Sequence, residues 1–149
     1  MAILPMTIGG GTTSLKDFYR DKVLNGGLTE VTYTIYNNRL NISEGKLVVD
    51  TSNNTVYVYF DFTTTATGGG SNTWATLLTF SSELPNYLPK YVSSSRSNPI
   101  GITTDSSSDY NIGFFIGYGS SSNPRTFGGA YGKTFAIGEH YIVYGSWTY

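Results

Sequence analysis

The chain has 149 residues, a formal net charge of −1 and 13% charged residues, whereas soluble proteins usually carry about 25%. It has no basic excess, which argues against a groove that follows nucleic-acid phosphates. The chain has no cysteine, which excludes a disulfide scaffold, a thiolate zinc site and a cysteine nucleophile. Its single histidine excludes a multi-histidine metal centre within one chain. We therefore expect no cofactor.

The apolar segments are short. No apolar run exceeds about five residues, which is too short for a transmembrane helix. The N-terminus lacks a charged region followed by an apolar core, so no secretory signal is visible. We expect a protein with no membrane insertion, made in the cytoplasm without a signal peptide.

A helix is predicted after the glycine run Gly9–Gly11. Thr13 or Ser14 can cap it, and Gly26 suits the position after a helix. Within 14–25, one face carries Leu15, Phe18, Tyr19, Lys22 and Val23, and the other carries Asp17, Arg20 and Asp21. A helix of about three turns is marginal alone. It therefore either covers its own sheet or docks on a larger assembly through Leu15, Phe18 and Val23.

From Leu28 onward the hydrophobic period becomes two, which indicates β-strands. Strands are predicted over 31–35, 40–42 and 46–49, with a break at Ser43-Glu44-Gly45. Asn53-Asn54 marks a hairpin turn before a stronger strand, 55–63. One side of that strand carries Val56, Val58, Phe60 and Phe62, and the other carries Tyr57, Tyr59 and Asp61. The two tyrosines are open to a role in an oligomer interface.

A polar loop at 63–73 precedes a strand at 74–80, and Pro85 and Pro89 exclude a central strand between them. Further strands are predicted at 100–103, 112–118, 125–127, 133–137 and 140–149. About nine strands separated by turn signals predict an all-β fold, a jelly-roll-like antiparallel β-sandwich with a short N-terminal helix. We divide the chain into an N-terminal attachment segment, 1–27, and a β-sandwich head domain, 28–149.

The residues that could carry catalysis are few. None of the serines lies in a Gly-x-Ser-x-Gly turn beside a base, and His140 is the single imidazole. No two carboxylates have a context that favours the raised pKa of a glycosidase acid. Asp105 and Asp109 share a loop, but without the acidic spacing of an EF-hand a solvated loop is favoured over a calcium site. We therefore expect no catalytic residues and no metal site.

Saccharide binding has better support. Aromatic rings with polar tips suit the faces and rims of sugar rings, and Asp, Asn and Arg bind hydroxyls or a substituent phosphate. The candidate saccharide-binding residues are Trp74, Asp105, Asp109, Tyr110, Arg125, Tyr131 and His140. Trp74 alternates with the core face of its strand, so a buried position is the favoured alternative for it.

Three segments carry a resemblance: Trp74-Ala-Thr-Leu-Leu-Thr-Phe80, Leu84-Pro-Asn-Tyr-Leu-Pro89 and Tyr141-Ile-Val-Tyr-Gly-Ser-Trp-Thr-Tyr149. Through them, residues 46–149 resemble the C-terminal domains of tail, baseplate and fibre proteins from phages and prophages of Gram-positive bacteria. The spacing after Pro85 is tighter than is usual there, and Leu88 replaces a frequent arginine.

The resemblance implies a homotrimeric receptor-binding head on a virion tail or baseplate. Such a head attaches to host cell-wall or surface saccharide and contacts other tail proteins, and several copies together raise a shallow affinity per site. Two alternatives stay open. One is a structural appendage or decoration protein with tyrosine-rich contact faces, and the other is a tail-associated esterase or glycosidase.

Overall fold

The computed structural model of the chain describes residues 6–8, 11–35, 39–69, 75–80, 84–87, 98–99, 101–103, 114–117, 126–129 and 134–149. Side chains are described within 13–33, 35, 39–67, 86–87 and 136–149. The helix and the three longest strands fall inside these ranges.

The described part of the chain contains one α-helix and a set of antiparallel strands. The helix, α1, spans Leu15–Asn25, and a 3₁₀ turn spans Leu84–Tyr87. The strands are β1 (Met6–Ile8), β2 (Gly11–Thr13), β3 (Thr29–Glu30), β4 (Tyr33–Ile35), β5 (Leu40–Asp50), β6 (Thr55–Thr64), β7 (Gly68–Gly69), β8 (Ala75–Phe80), β9 (Asn98–Pro99), β10 (Gly101–Thr103), β11 (Phe114–Gly117), β12 (Thr126–Gly129), β13 (Thr134–Phe135) and β14 (His140–Thr148). The prediction of a mostly β, antiparallel fold with one short helix is confirmed.

Helix α1 begins where the sequence predicts. Ser14 is the N-cap, and its Oγ accepts a hydrogen bond from the Asp17 backbone N–H at 3.1 Å and donates to Asp17 Oδ2 at 2.7 Å. Asp17 also places a negative charge in the first turn, where the helix dipole favours it. At the other end Gly27, not Gly26, has positive φ, +68°. The left-handed residue therefore lies one position later than predicted.

A five-stranded antiparallel sheet, the main sheet, has the order β10-β14-β6-β5-β3. Its centre is β6, which pairs along its length with both β5 and β14. A second five-stranded sheet has the order β4-β8-β12-β11-β9, and β1-β2 and β13-β7 form two-stranded sheets. Strand β7 lies within 63–73, which was predicted as a loop.

Strand β5 is continuous, which corrects the break predicted at Ser43-Glu44-Gly45. Its pairing with β6 shifts between Ile42 and Glu44, because Ser43 is the extra residue of a β-bulge. Gly45 has a φ of +119°, and a Cβ there would lie 2.1 Å from the carbonyl oxygen of Tyr59. The polar triplet Ser43-Glu44-Gly45 thus lies within the strand and does not end it.

A four-residue turn, 51–54, joins β5 to β6. The Asp50 carboxylate accepts hydrogen bonds from the backbone N–H and Oγ of Ser52, at 3.1 and 2.6 Å, and from Asn53 Nδ2 at 2.8 Å. The bonds from the Ser52 and Asn53 side chains lower the pKa of Asp50 below its ordinary value. Asn54 has positive φ, +49°, so the hairpin turn predicted at Asn53-Asn54 is confirmed.

One face of the main sheet forms the larger hydrophobic core. Its fully buried side chains include Leu47, Val56, Val58, Phe60, Phe62 and Val143, each 0% exposed. Burying each of them stabilises the fold by about 1.5–3 kcal/mol. Tyr33 and Ile35 of β4 pack against this core, and Trp147 Nε1 donates to the Tyr87 carbonyl oxygen at 2.7 Å. The alternation predicted for β6 is therefore confirmed.

Helix α1 covers the opposite face. Val23 is 2% exposed and lies in a buried cluster with Val48, Tyr59 and Ile142. This burial raises the pKa of Tyr59. The helix thus takes the first of its two predicted roles, covering its own sheet, and Tyr59 lies beneath it within the subunit. The predicted division between 1–27 and 28–149 runs between elements that pack on each other.

Candidate functional site

Six predicted saccharide-binding residues lie outside the described residues, namely Trp74, Asp105, Asp109, Tyr110, Arg125 and Tyr131. Their convergence on one site stays a prediction. The seventh, His140, is the first residue of β14, and its side chain is 31% exposed. The candidate site is therefore built from His140 outward.

His140 belongs to a polar cluster on the α1 side of the main sheet. Its Nε2 lies 2.7 Å from Asp61 Oδ1, and Ser43 Oγ donates to the same oxygen at 2.8 Å. Ser43 Oγ also lies 3.0 Å from the Asp61 carbonyl oxygen. Ser43 is exposed, and the Asp61 side chain is 24% exposed. These three residues form the Ser43–Asp61–His140 cluster, which solvent reaches.

Each member of the cluster comes from a different strand. Asp61 pairs with Ile142 of β14 and Glu44 of β5, so His140, two residues before Ile142, is its diagonal neighbour on the same face. In a regular strand Ser43 and Glu44 would point to opposite faces. The bulge in β5 lets both side chains lie on the face that carries Asp61.

A salt bridge joins α1 to the strand beside the cluster. Arg20 Nε and Nη2 donate to Glu44 Oε2 and Oε1 at 2.6 and 2.7 Å, which is a bidentate pair. The hydrogen bond that Arg20 donates to Glu44 is the largest cause of the raised pKa of Arg20. Glu44 thus binds the Arg20 guanidinium with both of its carboxylate oxygens.

Three half-buried tyrosines form an aromatic group farther along the same face. The Tyr19 ring lies 6.2 Å from that of Tyr57 and 5.8 Å from that of Tyr144, between centroids. The Tyr19 hydroxyl lies 2.9 Å from Ser146 Oγ, and Lys22 Nζ lies 5.3 Å from the Tyr57 ring centroid. These three tyrosines are the aromatic group referred to below.

The predicted docking residues of α1 have different environments. Val23 is taken up by its own sheet, as described above, and so is not on the surface. Leu15 and Phe18 are half-buried, and the Phe18 ring meets that of Tyr19 edge-on at 5.4 Å. Docking on a partner stays a prediction for Leu15 and Phe18.

The cluster holds groups that donate and accept hydrogen bonds. Acyl transfer needs a serine hydroxyl beside a base, but both hydrogen bonds of Ser43 Oγ go to Asp61. A carboxylate, a hydroxyl and an imidazole at a half-exposed surface are the groups that bind sugar hydroxyls.

Sequence reasoning named His140 as a candidate and did not name Ser43 or Asp61. The alternation in β6 placed Asp61 on the face opposite the core, which was a usable signal. Ser43 had no such signal, because it lay in a predicted break and its contact depends on the bulge.

No group of three or more His, Cys, Asp or Glu lies where it could hold a metal ion, among the residues with described positions. The loop with Asp105 and Asp109 lies outside them. In the same part of the chain, no helix has the length and apolar character needed to cross a membrane.

Comparisons of the chain with protein-family models, with curated proteins and with solved structures found no match. The resemblance to phage tail domains therefore rests on the three sequence segments alone.

Proposed function

We propose that the chain is a non-catalytic saccharide-binding module that serves as a receptor-binding head. The observation that carries this proposal is the Ser43–Asp61–His140 cluster, in which a carboxylate and two further polar groups lie together at a solvent-accessible surface. Hydrogen bonds between a charged group and hydroxyls are stronger than neutral ones, so Asp61 is the anchor for a sugar.

The aromatic group supports the same function. Tyr19, Tyr57 and Tyr144 lie on the face of the main sheet that carries the cluster, and each is partly exposed. Tyrosine rings offer an apolar surface for the C–H face of a sugar and a hydroxyl for its rim. The face therefore combines the two kinds of contact that sugar rings need.

The biological setting we propose is a virion tail or baseplate, in which the head is a homotrimer bound to other tail proteins. It attaches to a cell-wall or surface saccharide of the host. Support comes from the sequence resemblance of residues 46–149 and from the low charge and high Ser, Thr, Gly and Asn content. Three linked sites would raise a weak affinity through avidity.

We also propose that the two five-stranded sheets pack face to face as a jelly-roll-like β-sandwich. Support comes from Tyr33 and Ile35, which belong to the second sheet through β4 and pack against the core face of the main sheet. Two sheets that share such a core form a sandwich.

The test is binding of the labelled protein to a panel of Gram-positive cells and their purified wall polysaccharides. We expect Asp61→Ala to lower affinity at least about tenfold, because it removes charge-assisted hydrogen bonds. Asp21→Ala, on the exposed face of α1, is the matched control and should bind like the wild type. Equal binding by the two variants, at unchanged melting temperature, would contradict the proposed site.

A structural appendage is the second candidate. The observation that favours it is Ile137, a large apolar side chain that is 67% exposed in the turn before β14. This candidate predicts that Ile137→Ser blocks incorporation into tails and leaves polysaccharide binding unchanged.

A further inference from the structure

We infer that the Ser43–Asp61–His140 cluster selects hydroxyl-bearing sugars that carry no phosphate and rejects phosphate-bearing ones. This inference rests on the proposed saccharide-binding function and names the ligand class of that same site. It follows from which atoms of the cluster donate hydrogen bonds and which accept them.

The carboxylate of Asp61 has one oxygen engaged and one open. Oδ1 meets both Ser43 Oγ and His140 Nε2, whereas Oδ2 accepts no hydrogen bond from the part of the chain that the structure describes. An ionised carboxylate oxygen accepts and never donates. The open oxygen Oδ2 can therefore bind only a ligand atom that donates a hydrogen bond.

Ser43 and His140 each direct a hydrogen toward Asp61. The hydroxyl hydrogen of Ser43 is shared between the carbonyl and carboxylate oxygens of Asp61, so Ser43 Oγ presents lone pairs to solvent. For His140 Nε2 to bond to a carboxylate, that nitrogen must carry its hydrogen. Ser43 and Asp61 thus offer acceptors to a ligand.

The charge around the cluster also disfavours a phosphate. Asp61 and Glu44 are neighbours across β5 and β6, and the guanidinium of Arg20 is bound bidentately by Glu44. A phosphate at this surface would face the Asp61 carboxylate at short range, and like charges repel strongly where solvent is partly excluded. Nor can a phosphodiester donate a hydrogen bond to Asp61 Oδ2.

A sugar hydroxyl satisfies both requirements, since it donates one hydrogen bond, accepts others and carries no charge. When one sugar hydroxyl donates to Asp61 Oδ2, the adjacent hydroxyl of the same ring can donate to Ser43 Oγ. A polyol without anionic substituents is thus the class that fits.

The test compares matched polymers. Dextran, mannan and a galactan are each presented to the intact protein in two forms, unmodified and chemically phosphorylated. We expect the unmodified form of the polymer that binds to bind at least about tenfold more tightly than its phosphorylated form. In Asp61→Asn the amide supplies a donor where Oδ2 accepted. The ratio of the affinities for the unmodified and the phosphorylated polymer should therefore fall to about threefold or less. Asp21→Asn is the control and should keep the wild-type ratio.

The outcomes separate the two proposals. If a phosphorylated form binds as tightly as its unmodified parent, and Asp61→Ala still abolishes that binding, the ligand class is wrong and the site stands. If the intact protein binds none of these polymers and no wall polysaccharide, both proposals fall. Circular dichroism and melting temperature establish that each variant is folded.

Discussion

At the scale of single residues, the geometry of the candidate site depends on Gly45 and Ser43. The backbone of Gly45 comes so close to that of Tyr59 that no side chain fits between them. This approach keeps β5 paired to β6 past the bulge at Ser43, and the bulge brings Ser43 to Asp61. A glycine and a serine in a segment predicted as a break therefore assemble part of the candidate site.

Replacing Gly45 with alanine should be strongly destabilising. The Cβ would meet the Tyr59 carbonyl oxygen, and φ is +119°, so we expect a loss of about 3 kcal/mol in the free energy of unfolding. Gly27→Ala is the control, because φ there is +68° and a Cβ would meet nothing within 4 Å. We expect it to cost about 1 kcal/mol. Urea denaturation measures both, and equal losses would contradict the close approach.

Asp50 should make stability depend on pH in acid. Because hydrogen bonds from Ser52 and Asn53 lower its pKa, folding favours the ionised form. That stabilisation is complete above the unfolded pKa of about 3.9 and is lost as pH falls through the lowered folded value. We expect wild type and Asp50→Asn to differ most at neutral pH and to converge near pH 2.

Urea midpoints measured from pH 7 to pH 2 provide the test. Ser52→Ala keeps the carboxylate and removes one donor, so its pH dependence should lie between those of wild type and Asp50→Asn. Parallel curves for all three proteins would show that Asp50 does not contribute.

At the scale of elements, α1 was predictable and its packing partner was not. The cap, the spacing of apolar residues and the closing glycines lie within a dozen consecutive residues, so local physics specifies them. Whether the apolar face of α1 packs on its own chain or on another protein depends on which apolar surface lies next to it in the folded molecule. In the structure the α1 face of the main sheet supplies it, with Tyr59 and Ile142 buried against Val23.

Removing the cap should destabilise the protein through this helix. Ser14→Ala leaves the Asp17 N–H without its side-chain acceptor, and we expect a loss of about 1 kcal/mol in thermal or urea unfolding. Lys16→Ala in the same turn is the control, and we expect a change within about 0.5 kcal/mol. A Ser14→Ala variant as stable as the control would mean that the first turn does not contribute to folding.

At the scale of the whole molecule, both faces of the main sheet carry side chains that are buried within one chain. An oligomer therefore has to use surfaces other than the sheet face beneath α1. Light scattering across a size-exclusion peak measures the mass directly, and we expect about three times 16.2 kDa. A monomer would contradict the proposed trimer and its avidity, but would leave the proposed binding site, which lies within one subunit, unaffected.

The sequence by itself determined the β-rich class, the capped helix, the hairpin at Asn53-Asn54 and the two faces of β6. These follow from periodicity and turn chemistry, which act between residues close in the chain. The tertiary structure alone decided that Ser43, Asp61 and His140 meet. Ser43 is 18 residues and His140 is 79 residues from Asp61, so their meeting depends on strand register and a bulge. Strand order, pairing and register are non-local, and a shift of one residue would turn every side chain to the other face.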